Sequence, residues 1–213
     1  MGKKGVLIAV EGIDGAGKTT QAYLLVEKLR KLGVKAEYTT EPTYGRVGDI
    51  LRLHVAKMKK REPIYEALLY TADRFEHVKK VIQPKIRKGI VLVSDRYLYS
   101  TLAYQGAAGL DEDWLRKINF FAPKPNLTIY IDIAPEKSLR RIAKKRRTVF
   151  ERLGYARKVR EFYLKLARKE GFLVFDGTKR VEVLHEEIVS AIVKRLKRLG
   201  IEARGSLVSV QQS

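Results

Sequence analysis

Short apolar runs alternate along the chain with longer segments of mixed polarity. The clearest runs predict strands buried on both faces, because apolar residues follow one another without alternation; they are residues 6–10, 90–93, 127–133 and 172–175, with 36–40 as a weaker fifth. Apolar residues recur at helical spacing in about residues 18–32, 64–88, 113–121, 136–143, 157–169 and 181–199. This alternation predicts an α/β fold, a three-layer sandwich in which helices flank a parallel sheet of about five strands.

No change of composition, linker or repeat divides the chain. We therefore expect a single domain over residues 1–200, followed by a C-terminal tail, 201–213, that lacks helical periodicity and is expected to be flexible. The longest apolar stretches are far shorter than the roughly 20 residues of a membrane span, so we expect a cytoplasmic protein without a membrane partner.

Charge points to an anionic partner. The chain has 44 Lys and Arg against 24 Asp and Glu, a net charge of +20, and no cysteine. The absence of cysteine excludes disulfides, thiolate metal sites and a thiol nucleophile. Residues 136–170 hold 14 Lys and Arg against 4 Asp and Glu, which is half of the net charge. Nucleic acid is the first partner that such a charge suggests, although motifs of the known nucleic-acid-binding folds are missing.

A glycine-rich loop lies between the first predicted strand and the first predicted helix. Residues 12–19 read G-x-x-x-x-G-K-[ST], the pattern of a phosphate-binding loop. Its backbone N–H groups would surround phosphate oxygens at the positive end of a helix. Lys18 would reach the β- and γ-phosphates, and the Thr19 hydroxyl would bind Mg²⁺. The loop predicts a user of a nucleoside triphosphate, and a chance glycine-rich turn is the alternative.

Two further motifs bear on the second substrate. Asp95 and Arg96 follow a buried strand, so they would lie where ligands of open α/β sheets bind. Asp95 could hold Mg²⁺ or orient an acceptor and Arg96 could bind a phosphate, the alternative being an ion pair that closes the strand. Tyr70 and Arg74 share one helix face and could stack on a base and donate to its edge. Taken alone, that pair more often represents a core tyrosine beside a surface arginine.

Together these blocks resemble the motifs of the thymidylate kinases. From Val6 to about Arg168 they follow one another in the same order as in that family and at approximately the same spacing. The blocks are Val10-Glu11-Gly12-Ile13-Asp14-Gly15-Ala16-Gly17-Lys18-Thr19-Thr20-Gln21, Thr40-Glu41-Pro42, Tyr70 to Arg74, Asp95-Arg96-Tyr97 with Ser100-Thr101, and Ala103-Tyr104-Gln105. The resemblance implies a P-loop NTPase fold with a mobile basic lid at about 140–155. It also implies transfer of the γ-phosphate of ATP to dTMP, giving dTDP and ADP for dTTP synthesis.

The resemblance assigns roles residue by residue. The ATP site would comprise Gly12, Ile13, Asp14, Gly15, Ala16, Gly17, Lys18, Thr19 and Thr20, with Asp176 and Gly177 against the adenine. The dTMP site would comprise Asp14, Glu41, Pro42, Arg52, Tyr70, Arg74, Arg96, Ser100, Thr101, Tyr104 and Gln105. In it Tyr70 would stack on thymine, Arg74 would donate to a thymine carbonyl, Arg96 would bind the phosphate, and Tyr104 would crowd the 2′ position. Thr19 and Asp95 would be the metal ligands.

Two departures from the family pattern stand out. Many relatives have an arginine before the glutamate that corresponds to Glu41, where this chain has Thr40; Arg46 is a plausible substitute. Some relatives also place an arginine inside the phosphate loop, where this chain has no cation before Lys18. Because phosphoryl transfer needs positive charge on the migrating group, we expect lid cations, chiefly Arg146 and Arg147, to close over the phosphates. The catalytic set would then be Lys18, Asp95, Arg96, Arg146 and Arg147.

Alternatives remain for the acceptor and for the class of protein. The basic lid segment could be a solvated helix face, and Gly154 could be a lid hinge or a simple helix break. The acceptor could be another nucleoside monophosphate such as dUMP. From another class, the chain could be a nucleic-acid-binding NTPase, although no specific nucleic acid is expected. A homodimer is expected by resemblance alone.

Overall fold

The computed structural model of the chain describes residues 5–57, 60–142 and 149–203. Its centre is a sheet of five parallel strands in the order β2-β3-β1-β4-β5. The strands are β1 (Val6–Glu11), β2 (Ala36–Thr40), β3 (Val91–Asp95), β4 (Leu127–Asp132) and β5 (Leu173–Asp176). The predicted α/β fold with about five parallel strands is confirmed.

Burial along each strand explains the pattern in the sequence. Every residue of β1 and β3 is buried, because helices cover both faces of the sheet centre. At one edge, β5 alternates between half-buried and exposed positions. At the other edge, β2 is mostly half-buried, which accounts for its weak apolar signal.

Nine helices are described in these ranges. They are α1 (Lys18–Lys31), α2 (Arg46–Lys57), α3 (Pro63–His77), α4 (Gln83–Arg87), α5 (Leu98–Ala107), α6 (Glu112–Ile118), α7 (Pro135–Arg141), α8 (Val149–Glu170) and α9 (Val181–Arg198), with one π-helical turn, Val78–Ile82, joining α3 to α4. Helix α1 packs against α9, while α5 packs against α3, α6 and α8. None of the described helices is both long and apolar enough to cross a membrane.

The sequence pattern misses two of these helices. Helix α5 is buried along nearly its whole length, so it lacks the alternation of polar and apolar faces from which a helix is recognised. Helix α2 instead leaves apolar side chains such as Leu53 exposed. Helix α8 begins at Val149, well before the predicted start at residue 157, and runs through Gly154. The alternative of a helix break at Gly154 is therefore wrong.

Part of the basic stretch is used within the fold. Arg160 binds both carboxylate oxygens of Asp132 at 2.7 Å, which fixes α8 to the end of β4. Arg157 pairs with Glu136 of α7, and Lys165 and Lys169 pair with Glu112 of α6. Several cations that the sequence shows as surplus charge thus join helices to one another.

Two glycines provide a matched test of helix packing. A methyl group on Gly106 of α5 would lie 2.7 Å from the Phe162 ring of α8, whereas one on Gly154 would have no described atom within 4 Å apart from its chain neighbours and the backbone of its own helix. We expect Gly106→Ala to destabilise the protein by about 1–3 kcal/mol through overpacking. Gly154→Ala should stabilise it by about 0.5–1 kcal/mol through the higher helix propensity of alanine.

Urea-induced unfolding of both variants measures these changes. A stable Gly154→Ala variant whose turnover falls severalfold would show instead that Gly154 acts as a hinge.

Candidate functional site

The site lies at the carboxyl edge of the sheet, where the ends of three strands meet. In the parallel register Val10 of β1 pairs with Asp95 of β3, and Thr40 of β2 pairs with the same Asp95. The segments that follow these strands therefore leave the sheet side by side. They contain the phosphate loop, the Asp95-Arg96 pair and the Glu41-Pro42 turn, whose peptide bond is cis.

Close backbone approach explains two of the loop glycines. Gly12 and Gly15 have φ angles of 151° and 79°. A Cβ on Gly12 would lie 2.8 Å from the carbonyl oxygen of Ile131, and one on Gly15 would lie 2.5 Å from that of Ser138 in α7. Side chains are excluded at both positions, so the loop can curl tightly between β1 and α1.

Lys18 lies at the base of this loop. Its ammonium group is buried and donates a 2.8 Å hydrogen bond to the carbonyl oxygen of Ile13. Burial and the charge of Arg96 lower the pKa of Lys18 to about 8, against the opposing charges of Asp14, Asp95 and Glu11. Lys18 is thus a cation within the loop that loses its charge as the pH rises through about 8.

Thr19 and Asp95 form the part of the site suited to a metal ion. The Thr19 hydroxyl donates to Asp95 Oδ2, which also accepts a 3.3 Å hydrogen bond from the Tyr38 hydroxyl. Asp95 Oδ1 is buried and has no hydrogen-bond partner among the described residues. A carboxylate oxygen in this state, beside a hydroxyl, fits the hard oxygen ligands that Mg²⁺ prefers.

No cluster of three or more His, Cys, Asp or Glu suited to a metal occurs in the described ranges. A Mg²⁺ ion at Thr19 and Asp95 would therefore take most of its ligands from water and from a bound phosphate, as is usual for this ion.

Arg96 links the phosphate loop to the neighbouring helix. It is the one described non-glycine residue with a positive φ, 68°. One of its amino groups donates to Gly12 O at 3.2 Å and to Ser100 Oγ at 3.1 Å, and the other binds the Asp14 carboxylate. Its guanidinium also lies over the Tyr104 ring, 5.2 Å from the centroid. Arg96 thus pairs with Asp14 and not with its neighbour Asp95, so the alternative of an ion pair closing the strand is wrong.

Tyr70 completes this group. It is half-buried on α3, and burial raises the pKa of its hydroxyl, with Arg96 opposing and Asp14 adding to the shift. Burial likewise raises the pKa of Tyr104, and Arg96 opposes that shift. The structure therefore brings together four predicted acceptor residues, Asp14, Tyr70, Arg96 and Tyr104.

Arg74 and Glu41 lie in the interior next to this group, both almost fully buried. Arg74 donates to Glu41 Oε2 at 2.8 and 3.0 Å, and to Thr101 Oγ1 at 3.0 Å. It also donates to Asn119 Oδ1 and to the Tyr97 carbonyl oxygen. The alternative of a surface arginine is wrong. Because Glu41 accepts two hydrogen bonds from Arg74, its carboxylate binds this buried arginine and does not lie on an open surface.

The other residues that are predicted to bind the acceptor form hydrogen bonds with neighbouring residues of the protein. Arg52 donates to the carbonyl oxygens of Pro42 and Thr43, at 3.2 and 2.5 Å, and so supports the cis turn. Gln105 is buried; its Nε2 donates to Glu66 at 3.2 Å, and its Oε1 has no partner among the residues described. Ser100 is buried between Arg96 and the end of β1.

The predicted adenine loop follows β5 at the same edge. Gly177 N donates to Asp132 O at 2.7 Å, and the exposed Asp176 accepts a 2.8 Å hydrogen bond from Thr178 N. Arg141 of α7 donates to the Gly177 carbonyl oxygen at 3.0 Å.

Thr20 is exposed in the first turn of α1, and Arg46 is exposed at the start of α2. The proposed lid cations Arg146 and Arg147 lie outside the described residues.

Sequence reasoning assigned no role to three residues of this region. Glu11 is the last residue of β1 and is fully buried. Tyr163 of α8 donates to it, and Tyr155 of α8 donates to the Tyr104 carbonyl oxygen. A charged residue at the end of an apolar run is a signal that could have indicated Glu11. The two tyrosines give no such signal, because aromatic residues on a helix are usually core.

Comparison with known proteins identifies relatives along most of the chain. A family model described as Thymidylate kinase matches residues 10–188. The chain is 44% identical over 201 residues to the probable thymidylate kinase of Pyrococcus abyssi, which covers 91% of this chain and 98% of that protein. It is 40% identical over 192 residues to the probable thymidylate kinase of Pyrobaculum aerophilum, covering 90% and 97% of the two chains.

The lowered pKa of Lys18 predicts how polyphosphate binding depends on pH. If Lys18 binds phosphate as predicted, only its charged form does so, and that form is lost as the pH rises through about 8. The dissociation constant for tripolyphosphate should therefore increase by about an order of magnitude between pH 7.5 and 9. Titration calorimetry measures it.

Lys18→Arg is the matched control, because arginine stays charged over this range and the loss of affinity above about pH 8 should disappear. Equal pH dependence in both proteins would contradict the assignment to Lys18.

Proposed function

Because this chain belongs to the thymidylate kinase family, we propose that it transfers the γ-phosphoryl group of ATP to dTMP, giving dTDP and ADP. The contact between Asp14 and Arg96 is the observation that supports this best. Asp14 belongs to the loop that would bind the donor, and Arg96 belongs to the segment that would bind the acceptor. Two nucleotides bound on either side of this contact would place their phosphates next to each other.

The acceptor side has the features that a deoxynucleotide requires. The half-buried Tyr70 offers an aromatic ring for the base, and Thr101, held by Arg74, offers a hydroxyl for the base edge. Arg96 would bind the phosphate, for which a guanidinium is well suited. The Tyr104 ring lies against Arg96, where it would restrict space beside the sugar.

On the donor side, backbone N–H groups of residues 12–19 and Lys18 would hold the β- and γ-phosphates. Thr19 and Asp95 would hold Mg²⁺, which when bound neutralises phosphate charge. Since the donor and acceptor are both anionic, the protein's main task is to align them and to balance their charge. Lys18 and Arg96 supply two of the cations for this.

More cations than these two are needed to balance the charge of the phosphates, since the loop contains none before Lys18. We propose that Arg146 and Arg147 supply them from the segment that joins α7 to α8. The neighbourhood supports this: Ser138 of α7 is close to Gly15 of the loop, and Arg141 reaches the Gly177 carbonyl oxygen. A cytoplasmic location, where nucleotides and reduced proteins occur together, fits the absence of cysteine.

A coupled assay of ADP release tests the function. With ATP, dTMP should give rapid release, while ATP alone, or ATP with thymidine, should give slow release, because thymidine lacks the phosphate that Arg96 binds. We expect dTMP to be preferred over dUMP, dCMP and dGMP. The Lys18→Met variant controls for contaminating ATPases and should be inactive throughout.

Other outcomes identify the alternatives. Faster turnover of dUMP than of dTMP would keep the kinase but refute the proposed acceptor. ADP release that DNA stimulates in the absence of dTMP, with steep salt dependence, would indicate a nucleic-acid-dependent NTPase.

We further propose that the protein is a homodimer that pairs through α2 and α3, which pack side by side. On α3, Ile64, Leu68 and Phe75 lie on one helix face and are 58, 47 and 43% exposed. On α2, Ile50 and Leu53 are 52 and 57% exposed. An apolar surface on two adjacent helices is typical of an interface with another protein chain.

Leu68→Glu should convert this dimer to a monomer, because it would bury a carboxylate in the apolar interface. Light scattering during gel filtration measures the mass. Val183→Glu is the matched control, since Val183 of α9 is 44% exposed but lies on another helix, and its mass should be unchanged. A monomeric wild-type protein would refute the dimer.

A further inference from the structure

Glu11 is a buried carboxylate that the proposed reaction does not use. It ends β1 at the centre of the sheet and has no exposed surface. Its Oε1 accepts hydrogen bonds from the backbone N–H groups of Tyr97 and Ser100, at 3.0 and 3.3 Å. Its Oε2 accepts from Ser100 Oγ at 2.6 Å and from the Tyr163 hydroxyl at 2.9 Å. All four donors are uncharged, which is unusual for a fully buried carboxylate.

The first two hydrogen bonds lie next to a strained residue. Arg96 has a left-handed φ, a conformation that is unfavourable for a non-glycine residue and persists only where its surroundings enforce it. Its own N–H donates to Val10 O at 2.9 Å, and the N–H of the next residue donates to Glu11. The last two residues of β1 therefore hold the backbone on both sides of the kink.

The other two hydrogen bonds connect Glu11 to the Arg96 side chain and to α8. Ser100 Oγ accepts from Arg96 at 3.1 Å while it donates to Glu11. The Tyr163 hydroxyl lies 2.9 Å from the same Ser100 oxygen. A continuous set of hydrogen bonds thus runs from α8 through Glu11 to the guanidinium.

We propose that Glu11 is a positioning residue for the acceptor: it holds Arg96 in its strained conformation and connects that conformation to α8. This inference rests on the proposed function, in which Arg96 binds the dTMP phosphate. It predicts that Glu11 affects the acceptor selectively, because its hydrogen bonds reach α5 and α8 and none reaches the side chains of residues 12–19.

A buried charge is also costly in itself. Burial raises the pKa of Glu11 to about 7, while the hydrogen bond from Ser100 and the charge of Arg96 oppose the shift. The ionised form is therefore disfavoured by the fold, and removing the charge need not destabilise the protein. The effect of the Glu11 carboxylate on acceptor binding can then be measured separately from its effect on stability.

Glu11→Gln tests the proposal. Its amide would donate where the carboxylate accepted, so the proton of Ser100 or of Tyr163 would lose its acceptor. We expect the dissociation constant for dTMP, measured by calorimetry without ATP, to rise at least tenfold. The constant for ATP should change less than twofold, the KM for dTMP should rise with it, and the melting temperature should stay within a few degrees.

Tyr163→Phe removes one of the four donors and should weaken dTMP binding about threefold. Tyr130→Phe is the matched control: Tyr130 stacks on Tyr163, 5.1 Å between centroids, but its hydroxyl donates to Asp132. It should bind dTMP as the wild type does. If Glu11→Gln does not fold, the two tyrosine variants decide the question.

Three results have distinct meanings. Unchanged dTMP affinity in both Glu11→Gln and Tyr163→Phe would refute the positioning role. Equal weakening of dTMP binding and ATP binding, together with a large fall in melting temperature, would refute it as well. A wild-type protein that neither binds nor phosphorylates dTMP would instead refute the proposed function.

Discussion

The pairing of β1 with β3 is the interaction on which the rest of the site depends. It sets Val10 opposite Asp95 and lets Val10 O accept the N–H of Arg96. The phosphate loop and the Asp95-Arg96 pair therefore begin at the same level of the sheet edge. A slip of one residue would turn Asp95 to the opposite face of the sheet, away from Thr19. The buried aliphatic side chains of both strands prevent that slip, so the apolar core also fixes the geometry of the polar site.

Much of the fold could be predicted from the sequence because its signals are local. A strand covered on both faces is an uninterrupted apolar run, as in β1 and β3, and a phosphate loop needs glycine where Gly12 and Gly15 meet neighbouring carbonyl oxygens. Helix α5 could not be predicted, because its burial on all sides erases the helical period. The start of α8 was misplaced for a different reason: Gly154 is a weak helix former, but the surrounding helix continues through it.

The candidate site likewise contains residues that could be predicted from the sequence and residues that could not. Lys18, Thr19 and Asp95 could be proposed as site residues because each belongs to a motif or follows a buried strand. The partners of Arg74 could not, since Glu41 and Asn119 lie 33 and 45 residues away in sequence and only packing brings them together. The excess of basic residues was also ambiguous. In the structure Arg160 and its neighbours on α8 bind acidic residues of other elements, so charge that suggested nucleic acid is partly structural.

The contact between Asp14 and Arg96 has a consequence for which molecules could enter the proposed acceptor site. Asp14 is 60% exposed, whereas Arg96 is only 17% exposed, so the guanidinium already has an anionic ligand attached to its own chain. An incoming molecule must compete with this tethered carboxylate, whose local concentration is high because the loop fixes it nearby. A neutral nucleoside gains nothing in that exchange, and a single carboxylate gains little. A phosphate dianion would gain more, so under the proposed function the resting protein would screen its ligands by charge before any base or sugar is recognised.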